Sequence, residues 1–209
     1  MIKYIFLFVS IAQIISGNDT PPRLLVNTPS LGLVQGEIHP IRKNVGQFLG
    51  IPFAQPPIGK LRFKPPVPLM NGSSSAIYNA TAARSGGNAA LQCLQYSALG
   101  PKLMHGQEDC LYLDVYVPLH VNNESLLPVV IYIYGGGFET SDPIEPTTIV
   151  ALYENIIYVT IRYRVNIFGF MASTALSASR SGPIQSSGLQ GFEDQQLAMK
   201  WVQDNIQGA

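Results

Sequence analysis

The stretch Pro128-Val129-Val130-Ile131-Tyr132-Ile133-Tyr134-Gly135-Gly136-Gly137-Phe138 decides the fold. Its apolar run is of strand length, is stopped by three glycines, and predicts a strand buried on both faces, as in a parallel sheet. Ile156 to Ile161 is a second such run, and Thr147 to Tyr153 between them predicts a helix. A strand, a crossover and a strand give a right-handed unit when the strands are parallel, which is the logic of an α/β fold. Upstream, Leu111 to Val117 reads as a further strand. Leu31 to Ile41 alternates apolar and polar residues around Gly36, and Val45 to Ile51 runs into Pro52, so the two predict a small antiparallel ribbon at the edge of the sheet. Pro56, Pro57, Pro65, Pro66 and Pro68 then remove donors and keep the chain irregular. Residues 71 to 109, rich in Gly, Ser, Ala and Asn, predict a surface loop. At the other end Leu197, Ala198, Trp201, Val202 and Ile206 recur at spacings of three and four, which predicts a helix from Gln195 to Asn205 with one apolar stripe turned to the sheet.

Composition bounds the rest. With 46% hydrophobic and 12% charged residues in 209, the chain has material for a core and too few charges for a disordered tail. Thirteen basic residues balance thirteen acidic ones, so no net field favours nucleic acid or an anionic membrane. Lys3, the apolar stretch Tyr4 to Ile15 and Ser16-Gly17 follow the order of a signal peptide, with an uncleaved anchor as the competing reading. The expected domains are this leader, residues 1–17, and one unit over 18–209, for which secretion or the endoplasmic reticulum lumen is the expected destination. No later segment reaches the roughly 20 apolar residues that span a bilayer. In an oxidising compartment Cys93 and Cys110 read as a disulfide ahead of a metal pair or a redox site. Asn-x-Ser/Thr sequons at Asn18, Asn71, Asn79 and Asn123 are glycosylation candidates.

Glu108-Asp109-Cys110-Leu111-Tyr112-Leu113-Asp114-Val115-Tyr116-Val117-Pro118 resembles the cysteine signature of the type-B carboxylesterase and cholinesterase family throughout. Phe48-Leu49-Gly50-Ile51-Pro52-Phe53-Ala54, Gly59-Lys60-Leu61-Arg62-Phe63, Tyr163-Arg164-Val165, Phe168-Gly169-Phe170 and the helix segment Asp194 to Ile206 resemble further family segments in the expected order. The resemblance implies the N-terminal portion of an α/β-hydrolase with a mostly parallel central sheet. It implies a first disulfide corresponding to Cys93 with Cys110, and structural ion pairs Arg62 with Glu108 and Arg164 with Asp194.

By the same resemblance the triple glycine is the oxyanion loop, with Gly136 and Gly137 as backbone donors and Gly135 in support. The physics asks for glycine because fixed N–H groups must come within about 3 Å of an oxygen that turns negative. The family's Gly-x-Ser-x-Gly elbow lies beyond the Asp194 to Ile206 helix, and its acid and histidine later still. No triad member is therefore expected in these residues, and the chain alone is expected to be a truncated, inactive esterase that is only marginally stable. Gly72-Ser73-Ser74-Ser75-Ala76 imitates an elbow but follows no strand. His39, His105 and His120 lack a spaced acidic or cysteine partner and read as surface histidines; no metal and no cofactor is expected. Arg162 and Thr140-Ser141 depart from the family pattern, which has asparagine common at the first and a glycine shortly after the triple glycine. The mature chain's tryptophan is Trp201, on the predicted helix, so the choline-binding tryptophan of cholinesterases has no counterpart in residues 94 to 109. The expected parent activity is serine-dependent hydrolysis of a small carboxylic ester, and the competing reading is a non-catalytic adhesion or binding protein of cholinesterase-like type.

Overall fold

A computed structural model describes residues 6–8, 12–15, 23–69, 76–81, 91–96, 104–119, 126–140, 146–180 and 184–206. The strands are β1 (Phe6–Phe8), β2 (Ala12–Ile15), β3 (Arg23–Thr28), β4 (Gly32–Ile38), β5 (Val45–Pro52), β6 (Tyr78–Asn79), β7 (Gln95–Tyr96), β8 (Met104–His105), β9 (Tyr112–Pro118), β10 (Leu126–Ile133) and β11 (Ile157–Ile161). The α-helices are α1 (Thr147–Tyr153), α2 (Asn166–Phe170), α3 (Thr174–Ala178) and α4 (Gln190–Asn205). One sheet runs in the order β1-β10-β11-β9-β5-β4-β3-β2, with β6 beside β4, and β7 pairs with β8 separately. Of the leader, only the backbone of β1 and β2 is described; they pair antiparallel with β10 and β3.

The fold class is α/β, but among the described strands of this sheet the parallel pairs are β10–β11 and β4–β6, and the sheet is mixed. The Leu31–Ile41 and Val45–Ile51 runs do pair, yet they are not an edge ribbon. β3, which the sequence reading passed over, covers β4, and β5 lies between β4 and β9. Nor is β10 buried on both faces, since Val130 and Ile133 remain more than a third exposed. Among the described residues its outer neighbour is the three-residue β1, paired at the start of β10.

Period-two alternation distributes side chains to two cores. Leu113, Val115 and Val117 of β9 and Ile157, Val159 and Ile161 of β11 join Ala198, Trp201, Val202 and Ile206 beneath α4. Tyr116 and Tyr158 point the other way, to Val150 of α1 and Val45 and Leu49 of β5. The alternation of β5 changes phase: Val45 and Leu49 lie on the α1 side and Phe48 on the α4 side, but Ile51, two residues after Leu49, lies in the α4 core. The register shift between Phe48 and Ile51 makes the exchange, around Gly50 at φ 66°. Burial of each large side chain under α4 contributes about 1.5–3 kcal/mol.

Helix α4 begins five residues before the expected Gln195. Gln190 and Gly191 are buried, and Gln190 Nε2 donates to Phe63 O (2.8 Å), so tertiary contacts carry the helix back beyond its apolar stripe. Among the described residues no helix is long and apolar enough to cross a membrane.

Candidate functional site

The triple glycine emerges where β10 ends. Tyr134 is buried and locked to Tyr163, the second residue after β11. Tyr134 Oη donates to Tyr163 O, Tyr163 N donates to Tyr134 Oη (3.0 Å), Tyr163 Oη donates to Tyr134 O (2.9 Å), and the rings stack at 4.3 Å. Burial raises the Tyr163 phenol above its usual value of 10.0. The two strand ends are thus joined immediately before the loop begins.

Gly135, Gly136 and Gly137 are exposed. Gly136 takes φ 139° and Gly137 φ 63°, and a Cβ on Gly136 would stand 2.2 Å from Thr140 O. Gly136 O accepts from Glu139 N and Thr140 N, both at 3.1 Å, which closes a tight turn. Among the described residues no acceptor is paired with the N–H of Gly136 or Gly137. Consecutive donors in a glycine turn form a concavity suited to an anion or a developing oxyanion. Phe138, at φ 64°, ends the turn, and its carbonyl accepts from Asn166 N (2.6 Å). Its ring packs against Phe170 at 4.8 Å and Phe192 at 5.4 Å.

Behind the loop, Arg164 and Asp194 are 3% and 0% exposed. Asp194 accepts from Arg164 N (3.0 Å), Nε (2.8 Å) and Nη2 (2.7 Å), which fastens the segment after β11 to the first turns of α4. Burial pushes the Asp194 carboxyl upward, against the pull of Arg164. Arg62 and Glu108 pair bidentately at 2.5 and 2.6 Å on the surface. Cys93 and Cys110 are disulfide-bonded, and Asn166 Nδ2 donates to Leu94 O (2.7 Å), so the disulfide loop abuts the glycine turn through Asn166.

Asn79 is exposed, and its Oδ1 accepts from Thr81 N (3.1 Å) and Thr81 Oγ1 (2.8 Å) within its own sequon. Asn18, Asn71 and Asn123, the Ser73 to Ser75 decoy and His120 lie outside the described residues. His39 is not a surface histidine. It is 8% exposed, and its Nδ1 accepts from Ile41 N and Arg42 N, because the β4–β5 turn needs an acceptor there. Among the described residues no group of three or more His, Cys, Asp or Glu side chains could hold a metal ion.

Sequence reasoning missed a second buried pair. Asp114, in the middle of β9, accepts from Arg162 Nη1 (3.1 Å) and Nη2 (2.8 Å), Gly50 N (2.7 Å) and Thr160 Oγ1 (3.3 Å). Arg162 is the residue that departs from the family pattern before Tyr163-Arg164. The signal for its partner was one acid inside the apolar run Leu111 to Val117.

Comparison with known proteins shows the family and the fold. A family model described as "Carboxylesterase family" matches residues 22–208. Carboxylesterase 5A of Mus musculus is 39% identical over 84% of this chain and 30% of its own length. Acetylcholinesterase of Electrophorus electricus is 39% identical over 96% of this chain and 30% of its own length. Among solved structures, EstA of Aspergillus niger matches with a TM-score of 0.67 at 29% identity, over 88% of this chain and 32% of that one. A thermophilic PNB esterase matches with a TM-score of 0.68 at 33% identity, over 88% and 35%. The chain spans about a third of the length of the relatives it matches. With the family model spanning nearly all of it and solved esterases sharing its fold, this chain belongs to the carboxylesterase family of α/β-hydrolases.

Proposed function

We propose that this chain supplies the oxyanion loop of a serine-dependent carboxylic ester hydrolase, with Gly136 and Gly137 N–H groups holding the carbonyl oxygen as it becomes negative. The observation that carries this reading is the pair of consecutive, exposed glycine donors without an acceptor among the described residues, set on two strand ends that the tyrosine pair makes rigid. Such donors act on the tetrahedral intermediate, and losing one lowers kcat by about 10²–10³. Attack needs a nucleophile, a base and an acid that orients it. The 209 residues contain no Gly-x-Ser-x-Gly, so in this reading the triad is contributed by sequence other than these residues. Passage through the secretory pathway, with residues 1–17 as leader and glycans on exposed sequons, is part of the same proposal, as is a small ester as substrate.

The test is a short-chain aryl ester assay combined with titration by an organophosphate that labels active serines. This chain alone is expected to show neither turnover nor stoichiometric labelling. A transcript that continues into Gly-x-Ser-x-Gly with a later acid and histidine should give a product that does both, and Gly136→Ala in it should depress kcat more than KM. A continuation with the serine replaced would favour the adhesion protein instead. Stoichiometric labelling of the 209-residue chain, abolished by mutating one internal serine, would refute the proposal.

A further inference from the structure

Asn166 stands where two parts of the chain that are distant in sequence meet. It is the first residue of α2 and takes φ 49°, a left-handed conformation that asparagine adopts more readily than most side chains. Its main chain faces the glycine turn, since Asn166 N donates to Phe138 O (2.6 Å), one residue past Gly137. Its side chain faces the disulfide loop. Nδ2 donates to Leu94 O (2.7 Å), and Oδ1 accepts from Phe168 N (3.3 Å), which fixes the side of the amide that meets Leu94. Leu94 is itself held on both sides. Cys93 before it is bonded to Cys110, Leu94 N donates to Gln107 O (3.1 Å), and Gln107 N donates to Gln92 O (2.9 Å). The carbonyl that Asn166 meets therefore belongs to a cross-linked and hydrogen-bonded piece of backbone.

We propose that Asn166 is a positioning residue of the glycine turn, and that the Cys93–Cys110 disulfide steadies the turn through it. The Tyr134–Tyr163 pair anchors the chain just before the turn, and Asn166 N anchors it at Phe138 O, so Gly135, Gly136 and Gly137 bridge two fixed points. The competing anchor at the far end is the Phe138 ring on Phe170 and Phe192. Ring packing is less directional than a hydrogen bond, and it is the carbonyl bond that sets the backbone direction where the turn ends. As an aid to catalysis this role rests on the esterase reading; as a tether it does not.

Hydrogen exchange of the 209-residue chain tests the tether without any reaction. Glu139 N and Thr140 N both donate to Gly136 O, so their exchange reads how often the turn opens. Asn166→Gly keeps the left-handed backbone and the N–H to Phe138 O and removes only the side-chain bonds. Asn166→Asp keeps the shape and Oδ1 and sets a second acceptor against Leu94 O in place of the donor. Both should speed exchange at Glu139 and Thr140 by about five- to tenfold, the effect of losing one hydrogen bond, with the Tyr163 amide and Trp201 fluorescence unchanged. Cys93→Ala with Cys110→Ala should act in the same direction, and should add little once Asn166 is glycine, because the two changes lie on one path. Full additivity overturns the proposal, since the disulfide then acts by another route. Unchanged exchange in both Asn166 variants also overturns it and leaves the Phe138 ring as the anchor; that arm decides even where the cysteine pair fails to fold. In a longer product that carries Gly-x-Ser-x-Gly, Asn166→Gly should lower kcat by about tenfold and leave KM within about twofold, because misaimed donors are felt in the transition state. A loss carried by KM would overturn the positioning role. A longer product without turnover refutes the esterase reading instead, while the exchange rates still decide the tether.

Discussion

Asp114→Ala should be among the most damaging single substitutions in this chain. The carboxylate is fully buried and accepts four hydrogen bonds, two of them from a guanidinium that is 2% exposed. Its removal leaves the Arg162 charge without its counter-ion in a dry site, which costs about 3–5 kcal/mol. The orphaned Gly50 N–H and Thr160 hydroxyl lie in the same small volume, so their loss overlaps with that figure and does not add in full. Against a domain stability of about 5–15 kcal/mol, a loss of this size leaves little reserve. With a urea dependence of about 2 kcal/mol per molar, the midpoint should fall by about 2 M. Trp201, the chain's one tryptophan and 7% exposed under α4, reports the transition by fluorescence. Asp114→Leu combined with Arg162→Met removes both charges and keeps the volume, so it should cost well under half as much as the single change. A loss below about 1 kcal/mol for Asp114→Ala, or a double variant as damaged as the sum of its singles, would refute the assignment.

Four further outcomes are expected. Peptide mapping without reduction should recover Cys93 and Cys110 joined, and opening that loop, with a sequence separation of 17, should cost about 3 kcal/mol; two free thiols would contradict it. Gly136→Ala should open the glycine turn, since its Cβ meets Thr140 O at 2.2 Å, and limited proteolysis should then cut near residues 135–140 faster without a change in Trp201 fluorescence. Burial raises the Tyr163 phenol, so the unfolded chain releases that proton first as pH climbs. Stability should be undiminished by this group below its unfolded value near 10 and fall above it; a urea midpoint flat through that range would contradict the burial. Asn79→Gln should remove one glycan from secreted protein, seen as a mass decrease after comparison with enzymatically deglycosylated material.

What could be read from the sequence was what local pattern controls. The span of α1 and the cores of β9, β10 and β11 follow from runs of apolar residues bounded by glycine, proline or charge. The start of α4 did not, because Gln190 and Gly191 carry no apolar stripe and join the helix through contacts with Phe63 and Arg164 that are distant in sequence. The place of β5 between β4 and β9 was hidden by its bulge, which moves the odd-numbered positions from the α1 side at Val45 and Leu49 to the α4 core at Ile51 and so destroys any single alternation. His39 looked like a turn residue and is one, but its burial depends on the way the β4–β5 turn folds back over the imidazole. At the candidate site, the glycine turn after β10 and the two ion pairs that the resemblance implied could be read as structure, the role of the glycines remaining a proposal. Asp114 with Arg162, the tyrosine pair and Asn166 could not, since each acts across strands that only the sheet order brings together.

The reciprocal bonding of Tyr134 and Tyr163 sets two adjacent stretches of backbone on different clocks. The amide of Tyr163 is held by a buried phenolic oxygen, so its proton should exchange with solvent only when the sheet itself opens, on the slowest timescale the chain possesses. One residue past Tyr134 the chain emerges into water, and the Gly136 and Gly137 amides, exposed and without an acceptor among the described residues, should exchange at nearly the rate of a free peptide. A deuterium-labelling time course should therefore show a slow amide at Tyr163 and fast ones at Gly136 and Gly137. The glycine turn is left to move while the strand ends that carry it stay still.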